Sequence, residues 1–409
     1  MFYHEAIRLH PRYAKAYDNL GAIYDDGSAD GAAKAEEMYS VAMELNPHHP
    51  SAYCNLAGLF TLQERFTDAV KTLLKVQNYD SHYYTATIKL AKLMHKRGFD
   101  RDAELLFQHI LLLFKLDNVP IAEPYNHYGN LLTELKRYEE AMQLFEQAIL
   151  LDPTNPDPKV NLAWVKHTLG AVTQADQLYN EALQLRVSVP ALMRLGSLRF
   201  KQGRSREAEE LYERARLMDP KNPQIPVEQS VVLQQMGRAW DAVKILESAR
   251  EIDTRCAHPD IYINLAKLYG HNLKRHVQAA SILEICNHHA YDQELEDDRV
   301  AEIKYHLGAV YDEIAKKHRG IAAADPDEEP PDKRAIRKAK TVLREAIELK
   351  PGDADYRVLL AQIHLRTGEL EIGLNILTRA LKINSNHEVA LILQEKVRKK
   401  QSEMNSKKS

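Results

Sequence analysis

The sequence has few of the residues that interrupt helices or cross-link chains. Its 409 residues include 16 glycines, 17 prolines and three cysteines, and aromatic residues make up 7%. Three cysteines cannot form a disulfide framework, so a hydrophobic core must hold the fold. The sparse glycines and prolines leave long stretches rich in Leu, Ala, Glu and Lys, which favour helices. Composition therefore predicts an almost entirely helical protein.

Long apolar runs are also missing. A membrane-spanning helix needs about 18 consecutive apolar residues, and the richest run, 110–114, is followed at once by Lys115 and Asp117. The opening residues are amphipathic and charged, unlike a signal peptide. We therefore expect a soluble segment that makes no membrane contact itself. No Asn-x-Ser/Thr glycosylation acceptor occurs, which favours a cytoplasmic location.

Neither sign of charge dominates. The chain has 55 Lys and Arg against 58 Asp and Glu, a formal net charge of -3, so we expect no nucleic-acid partner. The three cysteines, Cys54, Cys256 and Cys286, favour a reducing compartment. In an oxidising one, a single Cys256–Cys286 disulfide is the alternative, and the sequence leaves both open.

What the sequence does contain is an internal repeat. A small residue follows a large, usually Leu, residue at regular intervals: Leu20-Gly21, Leu56-Ala57, Leu90-Ala91, Tyr128-Gly129, Leu162-Ala163, Leu195-Gly196, Leu265-Ala266, Leu307-Gly308 and Leu360-Ala361, with a weaker copy at Gln229-Ser230. A second small residue follows in each unit: Ala35, Ala69, Ala103, Ala141, Ala175, Ala208, Ala242, Ala279, Ala339 and Gly373. Small residues let two helices approach closely, and the large residues around them form the apolar stripes. Many units end in proline, which stops the second helix.

This spacing is the tetratricopeptide pattern of about 34 residues. It predicts an all-α, right-handed superhelical solenoid of about ten repeats plus a C-terminal cap helix, because one helix pair cannot bury both of its faces. The predicted boundaries are a solenoid over 1–400, with a half repeat at 1–13, repeats from 14 to 386, a cap helix at 387–400, a disordered acidic and proline-containing insertion at 316–335, and a disordered tail at 401–409.

The half repeat at 1–13 looks like the second helix of a pair whose first helix is missing. A solenoid that ends in half a repeat exposes an apolar face. We therefore expect more protein before residue 1.

A search for chemistry in the sequence finds no catalytic motif. Phosphate loops, dinucleotide fingerprints and nucleophile elbows are absent from it. Cys286, His288 and His289, with Cys256 and His258, match no standard metal-ligand spacing, so surface histidines are the better interpretation. We predict no catalytic residue, no metal ligand and no cofactor in this chain.

Asparagines are the candidate binding residues. The residue before the Leu-small pair is Asn19, Asn55, Asn161 and Asn264 in four of the repeats. An amide both donates to and accepts from a peptide backbone, so a row of amides on a concave groove can bind an extended chain. This row resembles the asparagine ladder of O-GlcNAc transferase. The alternative is that these amides bond only within the scaffold, and the sequence leaves both open.

Two long segments carry a family resemblance. FYHEAIRLHPRYAKAYDNLG and YGNLLTELKRYEEAMQLFEQAILLDP, together with the irregular repeat lengths, resemble the transmembrane and tetratricopeptide-repeat proteins of the endoplasmic reticulum. The resemblance implies a parent protein O-mannosyltransferase. Its membrane domain would transfer mannose from dolichyl-phosphate-mannose to Ser/Thr of cadherin-type domains, with the repeats in the lumen.

Two functions follow from the sequence. In the first, this chain recruits acceptor proteins to an active site outside itself and transfers no mannose alone. In the second, it is a cytoplasmic scaffold with no enzymatic activity. Both expect other proteins as partners, bound in the concave groove.

Overall fold

The computed structural model describes residues 2–79, 83–118, 121–290, 295–321 and 329–406. These residues form 22 α-helices and one five-residue π-helix, and no strand occurs in the ranges given. The prediction of an all-α chain is therefore confirmed. The helices divide into two compact units, residues 1–194 and 195–409.

The first unit contains eleven helices and the beginning of a twelfth. They are α1 (Phe2–Leu9), α2 (Ala14–Tyr24), α3 (Ala29–Leu45), α4 (Pro50–Leu62), α5 (Phe66–Tyr79), α6 (Tyr84–Lys96), α7 (Asp100–Asp117), α8 (Glu123–Glu134), α9 (Tyr138–Leu151), α10 (Pro156–Thr168), α11 (Val172–Leu185) and α12 (Val189–Lys201), which runs across the division.

The second unit contains the remaining ten α-helices. They are α13 (Ser205–Met218), α14 (Gln224–Gln235), α15 (Ala239–Ile252), α16 (Pro259–Lys267), α17 (His276–His289), α18 (Asp297–Lys317), α19 (Pro331–Leu349), α20 (Ala354–Arg366), α21 (Leu370–Ile383) and α22 (Glu388–Ser406). The π-helix (Leu268–Asn272) follows α16 directly.

Close helix contacts explain the small residues. In the pair α8 and α9, a Cβ atom added to Gly129 would lie 2.6 Å from a ring carbon of Phe145, which is fully buried. In the pair α18 and α19, a Cβ atom on Gly308 would lie 2.6 Å from Leu343. Real side chains do not approach so closely. The Leu-small position is therefore where the first helix of a pair touches the second.

The turn inside each pair has its own chemistry. Its central residue adopts a left-handed backbone, with φ of +83° at Gly170 and +62° at Lys136. The next residue in the latter turn, Arg137, bonds Glu140 one turn along its own helix at 2.7 Å. It also reaches back to Glu104 of the preceding pair at 2.6 Å. The turn thereby connects consecutive pairs as well as the two helices of one pair.

Helices include parts of both segments that the sequence predicted to be disordered. In the insertion predicted at 316–335, residues 316–317 end α18 and residues 331–335 begin α19; residues 322–328 lie outside the described residues. Pro331 at the first helical position and Asp332 in the first turn both favour a helix start. The tail predicted at 401–409 is helical to Ser406, because no glycine or proline stops α22; residues 407–409 are not described.

One disulfide connects two elements of the second unit. Cys256, in the loop before α16, is bonded to Cys286 on α17, and their Cα atoms are 5.2 Å apart. That separation is usual for a disulfide. Both cysteines are fully buried, and Cys54 is a buried free thiol. Of the two cysteine arrangements that the sequence left open, the structure has the disulfide.

Candidate peptide-binding groove

The four asparagines lie at equivalent positions on the first helix of their pairs. Asn19 is on α2, Asn55 on α4 and Asn161 on α10, all in the first unit. Asn264 is on α16 in the second unit. All four are partly exposed. Their hydrogen-bond partners differ, and this difference decides what each amide is free to bind.

Asn55 joins two neighbouring pairs and keeps bonding capacity. Its Nδ2 donates to Oδ1 of Asp18 on α2 at 3.0 Å. The Asp18 carboxylate is buried, and its second oxygen lies 3.1 Å from Nε2 of His49. No bond to the carbonyl oxygen of the Asn55 amide occurs among the described residues. That oxygen is available to accept from a bound chain.

Asn161 has both ends of its amide engaged. Its Nδ2 donates to Oδ1 of Asn126 on α8 at 3.0 Å, and Nη1 of Arg194 on α12 donates to its Oδ1 at 3.0 Å. Arg194 also lies over the ring of Trp164. Burial lowers the pKa of the Arg194 guanidinium. This chain of bonds holds three successive first helices together and leaves Asn161 little capacity for a ligand.

The other two asparagines join no neighbouring pair. Nδ2 of Asn264 donates to the backbone carbonyl of Asp260 on its own helix at 2.8 Å. Asn19 makes no side-chain hydrogen bond within the described part of the chain. The amide row as a peptide ladder stays a prediction, in which Asn19, Asn55 and Asn264 each keep an amide oxygen without a bond in the described ranges.

A cleft of about 630 Å³ opens beside Asn55 between α2, α4 and α6. Its floor is apolar and includes Leu62, whose side chain is 75% exposed. Gly58 leaves open space there, since nothing lies within 4 Å of a Cβ atom added to it. We call this cleft the α4 groove.

Three lysines line one side of the α4 groove. Lys89, Lys92 and Lys96 all lie on α6, spaced so that they share one helix face. Nζ of Lys89 donates to the backbone carbonyl of Cys54 at 3.1 Å, which continues the ties between first helices. The sequence analysis did not identify these lysines as binding residues, although their spacing of three and four residues indicates one helix face.

A neighbouring carboxylate moderates this positive charge. Lys92 pairs with Glu123 on α8 at 3.3 Å. A hydrogen bond from His127, with the charge of Lys92, lowers the pKa of Glu123 to about 2. Glu123 therefore stays ionised at any ordinary pH. Lys89 and Lys96 have no ion pair in the described ranges.

The second unit has a smaller cleft of about 210 Å³ beside the π-helix. Three histidines line it: His271, His276 and His306. Burial, with the nearby charges of Lys267 and His271, lowers the pKa of His306 to about 4, so this imidazole is neutral near pH 7.

Metal binding has no support in the described ranges. They hold no group of three or more His, Cys, Asp or Glu residues arranged to bind a metal ion. The sulfur atoms of Cys256 and Cys286 are bonded to each other, so neither is a thiolate ligand.

Comparisons with known proteins agree with the helix pairs. Two family models described as tetratricopeptide repeat match this chain, one over residues 132–188 and the other over residues 193–255 and 332–386. The chain carries tetratricopeptide repeats. The predicted fold class, an all-α tetratricopeptide-repeat protein, is confirmed. No described helix of these repeats is long and apolar enough to cross a membrane.

Two curated relatives are similar to parts of the chain. The BBSome complex member BBS4 of Bos taurus is 25% identical over 242 residues, which are 59% of this chain and 45% of that protein. The protein O-mannosyl-transferase TMTC1 of Homo sapiens is 30% identical over 111 residues, which are 27% of this chain and 12% of that protein. The matched part thus spans less than half of either relative's length.

Two solved structures are similar to this chain at low sequence identity. The Cut9 and Hcn1 hetero-tetramer of the APC/C has a chain 14% identical, with a TM-score of 0.49, over 97% of this chain and 71% of that one. A tetratricopeptide repeat protein from Parabacteroides merdae is 15% identical, with a TM-score of 0.46, over 64% of this chain and 98% of that one.

Proposed function

We propose that this chain binds extended segments of other proteins in the α4 groove, and that it does so as the recruiting part of a protein O-mannosyltransferase. The groove itself supports the first half of the proposal. An exposed apolar floor at Leu62, an open amide oxygen on Asn55 and the row of lysines on α6 together suit a peptide backbone with apolar and acidic side chains.

The transferase half of the proposal is supported by two further observations. The match to human TMTC1, although short, agrees with the resemblance of the sequence to the endoplasmic-reticulum family. The buried Cys256–Cys286 disulfide suits an oxidising compartment such as the lumen of the endoplasmic reticulum, because cytoplasmic thiols are kept reduced. Acceptor proteins would be held by the repeats while mannose is transferred at a site outside these 409 residues.

A second candidate function is that of a cytoplasmic scaffold. The match to the BBSome complex member BBS4 covers more of the chain than the match to TMTC1 does. A scaffold would use the same groove to hold a subunit of a complex. It would be expected in a reducing compartment, where Cys256 and Cys286 would be free thiols.

The groove is tested by a photo-crosslinking amino acid at Leu62 in the full chain, with an unglycosylated cadherin-type domain as probe. Leu150, which is 72% exposed on α9 outside the groove, is the matched control position. We expect crosslinking from position 62 and not from position 150. Equal crosslinking from both positions contradicts binding in the groove.

Two substitutions at one position test the charge preference. The variants are Gly58→Glu and Gly58→Lys, and either new side chain has room at the groove floor. A glutamate at position 58 should weaken probe binding, because it competes with acidic side chains of the probe for the α6 lysines. A lysine at this position should maintain or strengthen probe binding. In cells, Gly58→Glu in the endogenous protein should then lower O-mannose occupancy on Ser/Thr of acceptor domains, measured by mass spectrometry. Unchanged occupancy with a lost complex partner would favour the scaffold.

A further inference from the structure

A second large cleft lies in the second unit, far along the sequence from the α4 groove. It has a volume of about 610 Å³ and is formed by the end of α18, by α19, and by the turn between α20 and α21. Seven of its lining residues are lysine or arginine and two are carboxylates. We call it the α19 cleft. Such a volume is within the usual range of ligand pockets.

Four of the seven basic residues already have acidic partners. The pairs are Lys316 with Asp312 and Glu313, Arg337 with Glu329, Lys340 with Glu369, and Arg366 with Asp312. Asp312 is buried and holds two of these cations at once. These pairs fix the walls of the cleft and neutralise part of its charge.

The other three basic residues are exposed and have no ion-pair partner in the part of the chain that the structure describes. They are Arg319 after the end of α18, and Lys333 and Arg344 on α19. Many exposed arginines elsewhere, such as Arg206 and Arg214, also have no ion pair among the described residues. What distinguishes Arg319, Lys333 and Arg344 is that all three line one concavity.

We propose that the α19 cleft binds a short acidic segment of a partner protein. Carboxylates of the segment pair with Arg319, Lys333 and Arg344, and the guanidinium groups suit the planar carboxylate. Ala315 and Ile336 form an apolar part of the lining. An apolar side chain between the acidic residues packs there. The ligand is thus a peptide in which acidic and apolar residues alternate in short groups.

The lining favours a peptide over a continuous polyanion. Asp332 and Glu369 belong to the lining, and they repel a phosphate backbone or an anionic membrane that covers the whole cleft. The net charge of the chain, -3, also provides no long-range attraction for such a surface. A short peptide places its few carboxylates between these repulsive positions.

The test uses the full chain in a Gly58→Glu background, which disfavours acidic ligands in the α4 groove. The probe is a fluorescein-labelled hexapeptide, Glu-Glu-Leu-Glu-Glu-Leu, and its affinity is measured by fluorescence anisotropy. Removing the three cations in the variant R319Q/K333Q/R344Q should weaken binding about tenfold. The control variant R206Q/K221Q/K244Q removes three other exposed basic residues of the same unit and should bind normally.

Three outcomes would overturn the proposal. Equal loss in the two triple variants would show attraction to overall charge alone. Equal affinity for a hexapeptide with glycine in place of leucine would remove the role of the apolar lining. Binding of phosphatidylserine vesicles or of a dT oligonucleotide that needs the three cations, with no peptide binding, would assign the cleft to a polyanion.

Discussion

Nδ2 of Asn161 donates a hydrogen bond to Oδ1 of Asn126 at 3.0 Å, across two successive helix pairs. Its carbonyl oxygen in turn accepts from Arg194. The same position four repeats apart thus serves different purposes, since Asn19 has no such bond in the described ranges. Amides at one repeat position thus range from Asn161, which is engaged at both ends, through Asn55, which joins two repeats and keeps a free oxygen, to Asn19, which has its bonds still to make.

Substitution of these asparagines should separate the two roles. Asn161→Ala removes the side-chain partner of the buried Asn126 and one of the hydrogen bonds of Arg194, so we expect a loss of about 1–3 kcal/mol in the free energy of unfolding. Asn19→Ala should change it by less than about 0.5 kcal/mol. Hydrogen exchange of α8, α10 and α12 measures the difference. Similar exchange in both variants would show that the Asn161 bonds do not stabilise the repeats.

Two glycines in helix interiors should respond oppositely to alanine. Gly129→Ala places a methyl group against Phe145 and should destabilise the chain by about 1–3 kcal/mol. Gly58→Ala meets nothing within 4 Å and should stabilise it by about 0.5–1 kcal/mol, because alanine loses less backbone entropy in a helix. Thermal unfolding of both variants checks this. A rise in Tm for Gly129→Ala would mean that Phe145 moves aside freely.

The disulfide can be tested by counting the cysteines that react with an alkylating reagent. Alkylation of the unfolded chain without reductant should modify one cysteine, Cys54. After reduction, alkylation should modify all three cysteines. Because the bridged residues are 30 apart, the variant C256A/C286A should lose about 3–4 kcal/mol of local stability in α16 and α17 by the chain-entropy account. Hydrogen exchange of these helices measures the loss. Three modified cysteines in chain isolated from cells without reductant would favour the cytoplasmic scaffold.

His306 should make the second unit sensitive to acid. Its pKa is lowered by burial from 6.5 to about 4, so the unfolded chain takes up this proton first as the pH falls. The stability that depends on the neutral imidazole is therefore complete above pH 6.5 and is lost between 6.5 and about 4. At pH 5 the loss is about 2 kcal/mol.

The measurement is the difference in Tm between pH 7.5 and pH 5. That difference should be smaller in His306→Gln than in the unsubstituted chain. The exposed His258 supplies the control, and His258→Gln should keep the full difference. An unchanged difference in His306→Gln would place the acid sensitivity in other groups.

The repeat positions were predictable because their cause is local. Gly129 and Phe145 are 16 residues apart in one helix pair, so their spacing survives in the sequence as a period. The use of each asparagine was not predictable in this way. It depends on the residue one position earlier in the preceding repeat, which is Asp18 for Asn55 and Asn126 for Asn161.

The α19 cleft is a second feature that could not be predicted from the sequence. Arg319, Lys333 and the turn residue Thr367 belong to three elements whose separation in sequence has no period. Folding alone brings them together. The sequence did indicate a departure from the repeat at 316–335, but composition alone favoured disorder where Pro331 and Asp332 begin a helix.

The Cys256–Cys286 bond also determines how the second unit responds to force. In a repeat protein each pair contacts only its neighbours, so a pull on the two ends separates the pairs one after another. The 30-residue stretch between the cysteines is closed by a covalent bond and cannot be drawn out. A fully stretched chain is therefore shorter by about 100 Å when the bond is intact. In an oxidising compartment, the stretch between Cys256 and Cys286 would therefore keep its length under a force that extends the other helix pairs of the second unit.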